Sequence, residues 1–210
     1  MSSNPADLYA NELAGGSELH ARDSDGTLRH LPLDVWVGDA SGADERLVAR
    51  AAGPVLDVGC GPGRHVHALA TRGVIAVGVD VNPAALHLAR ARGATVLQAS
   101  IFDQIPGAGE WRTALVLDGN IGIGGAPAAL LSRIASLLTH GGRILVEVDP
   151  PGVGHEIVRM RLEDEHHESH WFDWARVGAE AISRTAQQAG LRVAHSWEDE
   201  GRWFAALEVR

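Results

Sequence analysis

The 210-residue sequence contains no lysine; its 18 basic side chains other than histidine are all arginine. Schiff-base chemistry on a lysine is excluded, and so is the phosphate-cradling lysine of a P-loop. Cysteine is nearly absent. Cys60 is the only one, which excludes an internal disulfide and fits a reducing, cytoplasmic setting. Lying in a glycine turn with only Arg64 as a neighbouring cation, it reads as a small packing residue and not as a nucleophile. Positive charge is in deficit, with a net charge of −9 and no basic cluster, so nucleic acid is not expected as a partner. No apolar run approaches the ~18 residues of a membrane span, so no membrane partner is expected. Residues 1–7 have neither the basic region nor the apolar core of a secretory signal. The length suits one domain with one good core.

What the chain does contain is organised around Val55-Leu56-Asp57-Val58-Gly59-Cys60-Gly61-Pro62-Gly63. An apolar, β-branched run ends in an acid, and a glycine-rich turn follows. Apolar positions 66, 69 and 70 then fall at helical spacing. The pattern is strand, tight loop, helix, which brings backbone close to a ligand at a helix N-terminus.

Before it, residues 5–14 suit a short helix with Leu8, Tyr9 and Leu13 on its apolar side, ended by Gly15-Gly16. Residues 18–21 and 27–31 flank a hairpin turn at Asp25-Gly26. Ser41 or Asp44 can cap a helix over 43–51. After it, strands are expected at 74–79, 94–98, 113–117 and 144–148. They alternate with helices at 64–72, 83–92 and 127–138, the last ended by Gly141-Gly142. Such alternation of apolar strands with helices means a parallel sheet covered on both faces. A helix over 176–189 and two strands, 191–197 and 202–209, close the chain; the short link 198–201 makes them a hairpin with an antiparallel last strand.

With its acid followed by G-x-G-x-G, the segment 57–63 resembles motif I of the class I S-adenosylmethionine-dependent methyltransferases. The resemblance covers residues 53–149 strongly and 176–209 by topology. It implies an α/β fold: a doubly wound, mostly parallel seven-stranded sheet with an antiparallel C-terminal hairpin strand and helices on both faces. It also implies S-adenosylmethionine as the cofactor and S-adenosylhomocysteine as the product. In this organisation residues 1–50 are an arm over the cofactor, 53–149 the cofactor core, 150–175 an acceptor-side insertion, and 176–210 the closing helix and hairpin.

Ligands of open parallel sheets bind beyond the C-terminal strand ends. Asp57, Asp80, Asp103 and Asp118 all stand at or just after such ends. Around Asp57, Gly59, Gly61 and Gly63, backbone N–H groups at the helix start can meet the methionine carboxylate, and the acid favours the ammonium and sulfonium. Asp80 can accept from both ribose hydroxyls. A dinucleotide dehydrogenase uses the same device, but its fingerprint is G-x-G-x-x-G, and position 64 is Arg. Val81 and Asn82 look placed to flank the adenine, although Asn82-Pro83 also reads as a helix cap. The resemblance implies that Ile101, Phe102 and Asp103 enclose the adenine; Ile101 and Phe102 also suit a core. Asp118 and Asn120, in a glycine-rich turn, fall where the methyl should face the acceptor. Here the chain departs from the Asn-Pro-Pro-aromatic pattern of many amide, nucleobase and glutamine N-methyltransferases.

Residues 152–175 carry His155, His166, His167 and His170 beside Glu163, Asp164, Glu165 and Glu168. They read first as a charged, solvated helix face. His170 stands as a candidate general base, and a metal site is not expected. Trp171, Phe172 and Trp174 suit either core under a lid or the apolar wall of an acceptor pocket. The function that follows is methyl transfer to a small-molecule or peptide-end acceptor, by a chain whose oligomeric state is open, with a homodimer as one option. A non-methyl transfer from the same cofactor and a non-catalytic binding module are the alternatives.

Overall fold

The computed structural model describes residues 3–15 and 18–209. Met1, Ser2, the Gly16 half of the expected helix stop, Ser17 and Arg210 lie outside the described residues. The chain opens with α1 (Pro5–Leu13), capped by the Asn4 side chain, which accepts from the Ala6 N–H. The hairpin β1 (His20–Asp23) and β2 (Leu28–His30) follows, then a short helix α2 (Leu33–Val37) that the sequence pattern does not announce. The next helix, α3 (Gly42–Val48), starts in a reciprocal cap between Ser41 and Asp44.

The alternating core comprises β3 (Val55–Val58), α4 (Arg64–Thr71), β4 (Ala76–Asp80), α5 (Pro83–Ala91), β5 (Val96–Gln98) and β6 (Trp111–Val116). A 3₁₀ turn over Asn120–Gly125, α6 (Pro127–Ala135) and β7 (Leu138–Val148) complete it. The last helix of this set stops at Ala135, and Gly141-Gly142 lie inside β7, not at a helix end. The reason is pairing: after an irregularity next to Trp111, β7 begins early, with Leu138 opposite Trp111.

Residues 152–175 are not a helix face. They form β8 (His155–Glu163) and most of β9 (Phe172–Val177), which pair antiparallel. The expected helix over 176–189 is correspondingly shorter. Its start belongs to β9, whose burial alternates, and α7 runs Ile182–Gln188. β10 (Leu191–Asp199) and β11 (Arg202–Val209) form the expected hairpin.

The main sheet has seven strands in the order β10-β11-β7-β6-β3-β4-β5. Pairings from β7 to β5 are parallel, and β11 runs antiparallel to β7 and β10, so the α/β fold expected of the sequence is the one observed. Strand order reverses at β3: β4 and β5 lie to one side of it, β6 and β7 to the other. A crevice therefore opens beyond the C-terminal ends of β3, β4 and β6. Each face of the sheet has its own core. Leu56, Val116 and Ile144 pack with α6 and α7 on one side; Val55, Leu115 and Leu145 pack with α3, α4 and α5 on the other.

The second sheet, order β2-β1-β8-β9, stands over that crevice. β1 pairs with β8 from His20 opposite Glu163 to Asp23 opposite Met160. Leu8, Leu19, Ala21, Leu33, Met160 and Leu162 form a third, smaller core between this sheet and the N-terminal helices. No helix among the described residues is long and apolar enough to cross a membrane.

Candidate active site

All four residues of β3 are buried, and the strand delivers the chain into Gly59 at φ +71°. The turn is tied to its neighbour: Gly59 and Cys60 N–H donate to the Val79 carbonyl at 2.8 and 3.2 Å. Asp80, at the end of β4, grips the same turn. Its Oδ2 accepts from Gly61 N–H at 2.9 Å and its Oδ1 from Asn82 N–H at 2.8 Å. Gly61 N–H is thus committed to a carboxylate of the protein and not free for a ligand anion. The helix that follows, α4, has Gly63 before it at φ +81° and no side-chain cap. Its first-turn N–H groups remain the anion-binding end.

Asn120 crosses from the β6 side. Its Nδ2 donates to the Val58 and Gly59 carbonyls at 3.1 and 2.9 Å. A Cβ on Gly59 would lie 2.6 Å from that nitrogen, so only glycine fits both the backbone angle and the space. The amide hydrogens of Asn120 are spent on the loop, which leaves its Oδ1 as the free acceptor.

Asp118 takes a positive φ of 56°, rare outside glycine. Its carboxylate receives Arg64 in a two-pronged contact, 2.7 and 2.9 Å. Arg64 is 4% exposed and continues to Asp44, at 3.1 and 3.3 Å. Asp44 also meets His65 at 3.1 Å and Arg202 at 2.6 Å, and Arg202 binds Glu147. Burial works against charge on Asp44, but the bonds from His65, Arg64 and Arg202 hold its carboxyl well below the usual carboxylate range. This chain of ions locks the loop side of the cavity to the β7–β11 end of the sheet. Arg64 lines the cavity, and Asp44, Glu147 and Arg202 anchor it from behind; sequence reasoning missed all four. Asp44 showed there only as a helix cap, and its partner Arg202 is 158 positions away.

Asp57 lies behind the loop, 2% exposed, with Oδ2 lacking any hydrogen-bond partner among the described residues. His65 Nδ1 stands 3.9 Å from it. Burial pushes the Asp57 carboxyl up to about 6, against the pull of His65 and with a further push from Asp118. Cys60 is buried against Gly78, and burial first, then Asp57 and Asp80, push its thiol far above the ordinary range, which suits the packing role.

The loop is the floor of a cavity of about 270 Å³. Gly59, Cys60, Gly61, Pro62, Arg64, Asp80, Asp118 and Asn120 line its lower half. Its roof comes from elsewhere in the chain: Met160 and Leu162 of β8, Phe172 and Trp174 of β9, Trp36 of α2, Leu31, and Tyr9 of α1. Two of the three large residues at 171–174 therefore form cavity wall. The third, Trp171, is 36% exposed and lies under the Arg161 guanidinium. The Tyr9 hydroxyl reaches the floor: a Cβ on Gly61 would lie 3.3 Å from it. Burial, then Asp80 and Asp118, raise its pKa above the ordinary tyrosine value. The sequence placed Tyr9 only on an apolar helix face; its being the one tyrosine of the chain was the sole signal.

The remaining sequence candidates divide. Val81 and Phe102 are exposed at 58% and 49%, apolar groups left uncovered at the strand-end edge beside Asp80 and Asp103. Asp103 accepts from the Ser100 N–H, closing its own loop. Asn82 is a helix cap, accepting from Ala84 and Ala85 N–H, and donates to the Ala6 carbonyl of α1. Ile101 is a core residue, 4% exposed, and not a lining group. His170 is exposed and outside the cavity; only its backbone engages, with Ser3. It sits past the hairpin turn that carries His166 and His167, just before β9. No cluster of potential metal ligands occurs among the described residues.

Strand order, glycine turn and strand-end acids together define a class. Residues 55–142 match the family model of a methyltransferase domain, and the chain has the class I, Rossmann-like fold of S-adenosylmethionine-dependent methyltransferases. Among individual proteins it is 33% identical over 107 residues to a trans-aconitate 2-methyltransferase of Paracidovorax citrulli, a match covering 49% of this chain and 41% of that one. The matched stretch thus spans less than half of that relative's length. The fold is shared with an S-adenosylmethionine-dependent methyltransferase of Bacteroides fragilis crystallised with S-adenosylhomocysteine (TM-score 0.80, 21% identity, 98% of this chain and 94% of that one). It is also shared with the 1,6-didemethyltoxoflavin-N1-methyltransferase of Burkholderia thailandensis (TM-score 0.66, 16% identity, 98% and 86%).

Proposed function

We propose that this chain transfers a methyl group from S-adenosylmethionine to a small-molecule or peptide-end acceptor. The observation that carries the reading is the Asp80 carboxylate, fixed by Gly61 and Asn82 N–H on the rim of a cavity whose floor is the glycine turn. Fixed in this way, Asp80 keeps lone pairs for a pair of ribose hydroxyls. The residues around it suit the rest of the donor. The uncapped start of α4 suits a carboxylate. The unpartnered Asp57 oxygen supplies negative potential for an ammonium and a sulfonium. Exposed Val81 and Phe102 suit the faces of a purine, with Asp103 at its edge. Residues 53–149 then hold the donor, and the arms 1–50 and 150–175 the acceptor.

S-adenosylmethionine, when bound, supplies a methyl already activated on a sulfonium. The protein has to orient and to exclude water. Orientation of this kind can lower a barrier by on the order of 7–11 kcal/mol. The Arg64–Asp118 pair and Asn120 fix the floor, while the aromatic roof closes the cavity over it.

Calorimetry with S-adenosylhomocysteine tests the donor half. Binding is expected, with a large loss in Asp80→Ala at unchanged circular dichroism. A folded sample that shows no binding would sink the reading. Methylthioadenosine among the products, in place of S-adenosylhomocysteine, would replace methyl transfer by another transfer from the same donor.

A further inference from the structure

We propose that the acceptor is a small ring-bearing amine and that polycarboxylates are excluded. This rests on the methyl-transfer reading above and names its substrate class. Three independent features of the cavity lead to it.

The first is charge. Among the described lining residues the acids are Asp80 and Asp118, and the one cation is Arg64. Arg64 is already consumed by Asp118 and Asp44. The second sheet carries further arginines, and each has an acid: Arg22 with Glu163, Arg29 with Asp23, Arg159 with Asp173, Arg161 with Glu168, Arg176 with Asp149. With the uncapped start of α4 taken by the donor's own carboxylate, a second carboxylate entering here would lose its water, meet two acids and find no free cation. An ammonium or a neutral amine meets the opposite field.

The second is shape. Tyr9 and Trp36 meet edge-on at 6.2 Å between ring centres, and Phe172 and Trp174 meet the same way at 6.2 Å. Four rings from three separate parts of the chain, joined by Met160, make a roof that suits a flat ring and attracts a cation.

The third is the lack of a proton acceptor among the described lining residues. No histidine lines the cavity. Asp118 is bound by Arg64, Asp80 by two N–H groups, and the raised Tyr9 hydroxyl keeps its proton. An alcohol would need a base. An amine in its neutral form needs none. Its lone pair forms the bond to the methyl carbon while the carbon–sulfur bond breaks, the electron pair of that bond staying on sulfur. The methylated ammonium then gives its proton to water.

The test compares tryptamine, indole-3-acetate and trans-aconitate as probes. The first two share a ring and differ in charge; the third is a tricarboxylate with no ring. Binding is measured by calorimetry with and without S-adenosylhomocysteine, and turnover by release of S-adenosylhomocysteine. Tryptamine is expected to bind at least tenfold more tightly than indole-3-acetate, with no heat from trans-aconitate. Its turnover should rise about tenfold per pH unit below the amine's own pKa, the slope of one titrating group. Met160→Arg, which sets an unpaired cation in the roof, should reverse the order of the two indoles. Indole-3-acetate or trans-aconitate binding as well as tryptamine, or tryptamine failing to bind, overturns the proposal. Failure of S-adenosylhomocysteine to bind sinks the donor reading and with it the amine's role as methyl acceptor, whereas a wrong probe order with S-adenosylhomocysteine bound overturns this proposal alone.

Discussion

The floor and the roof of the cavity are made in opposite ways. The floor is local: Gly59, Gly61, Asp80 and Asn82 come from two consecutive β-α units, and backbone hydrogen bonds set their positions. The roof is assembled from α1, α2, β8 and β9, and side-chain packing sets its positions. Backbone-defined geometry tolerates few residue types, since a Cβ or a missing carboxylate is felt at once. Packed apolar surface tolerates many, provided volume is kept. The floor is therefore stereotyped and the roof free to vary.

The largest expected effect tests how firmly the floor is anchored. Arg64→Met takes the two-pronged partner from Asp118 and one of three partners from buried Asp44. It should cost roughly 3–5 kcal/mol of stability, read from urea unfolding. A loss no larger than that of an exposed ion pair would mean the floor is held by backbone alone. Asp80→Ala comes next. It removes an acceptor of two N–H bonds and the proposed ribose contact. S-adenosylhomocysteine affinity should fall about 100-fold, or about 2.7 kcal/mol, while a roof probe such as tryptamine, which loses only one of two acids from its field, weakens far less.

Asp57→Asn probes the floor from behind. The folded carboxyl titrates near 6, above its ordinary value of 3.8, so the fold prefers it protonated. That contribution to stability is fully present below about pH 4, is lost as pH rises through about 6, and stays lost above. The asparagine variant lacks the titration, so its stability relative to the parent should climb between pH 4 and 6, by on the order of 2 kcal/mol. Melting curves across that window check the sign; a gap that narrows as pH rises contradicts it.

The smallest effect tests the seam. A Cβ on Gly122, in the turn below the roof, would run into the Trp174 indole nitrogen and the Ala175 carbonyl. Gly122→Ala should push β9 outward and weaken tryptamine about tenfold, or about 1.4 kcal/mol. S-adenosylhomocysteine affinity should change less than threefold. Equal losses for both ligands would mean that floor and roof are one unit.

How much of this was legible in sequence follows the same division. The strand–loop–helix at 55–71 and the acid at 80 were readable because each signal lies within a few residues of its partner. The roof was not. Residues 152–175 are so rich in charge and histidine that a solvated helix face was the natural expectation. Yet Met160 and Leu162 alternate with Arg159, Arg161 and Glu163, a period-two signal that was present. What no local pattern could supply was the pairing of β8 with β1. Ile101 and His170 lie apart from the cavity lining for a related reason. Residue type and neighbourhood do not say which way a loop turns, and one turns into the core, the other to solvent.

The pairing of β1 with β8 also has a consequence in time. Arg22 and Glu163, which join the two strands, stand 141 positions apart. At about 5–20 residues per second, synthesis takes on the order of 7–28 s to cover that interval. Through it, strands β3 to β7 emerge and can pair in succession, while the N-terminal hairpin has no sheet to join. On the ribosome the floor emerges before β8 and β9 can close its roof, and a nascent chain halted short of β8 presents a glycine turn covered from the N-terminal side alone.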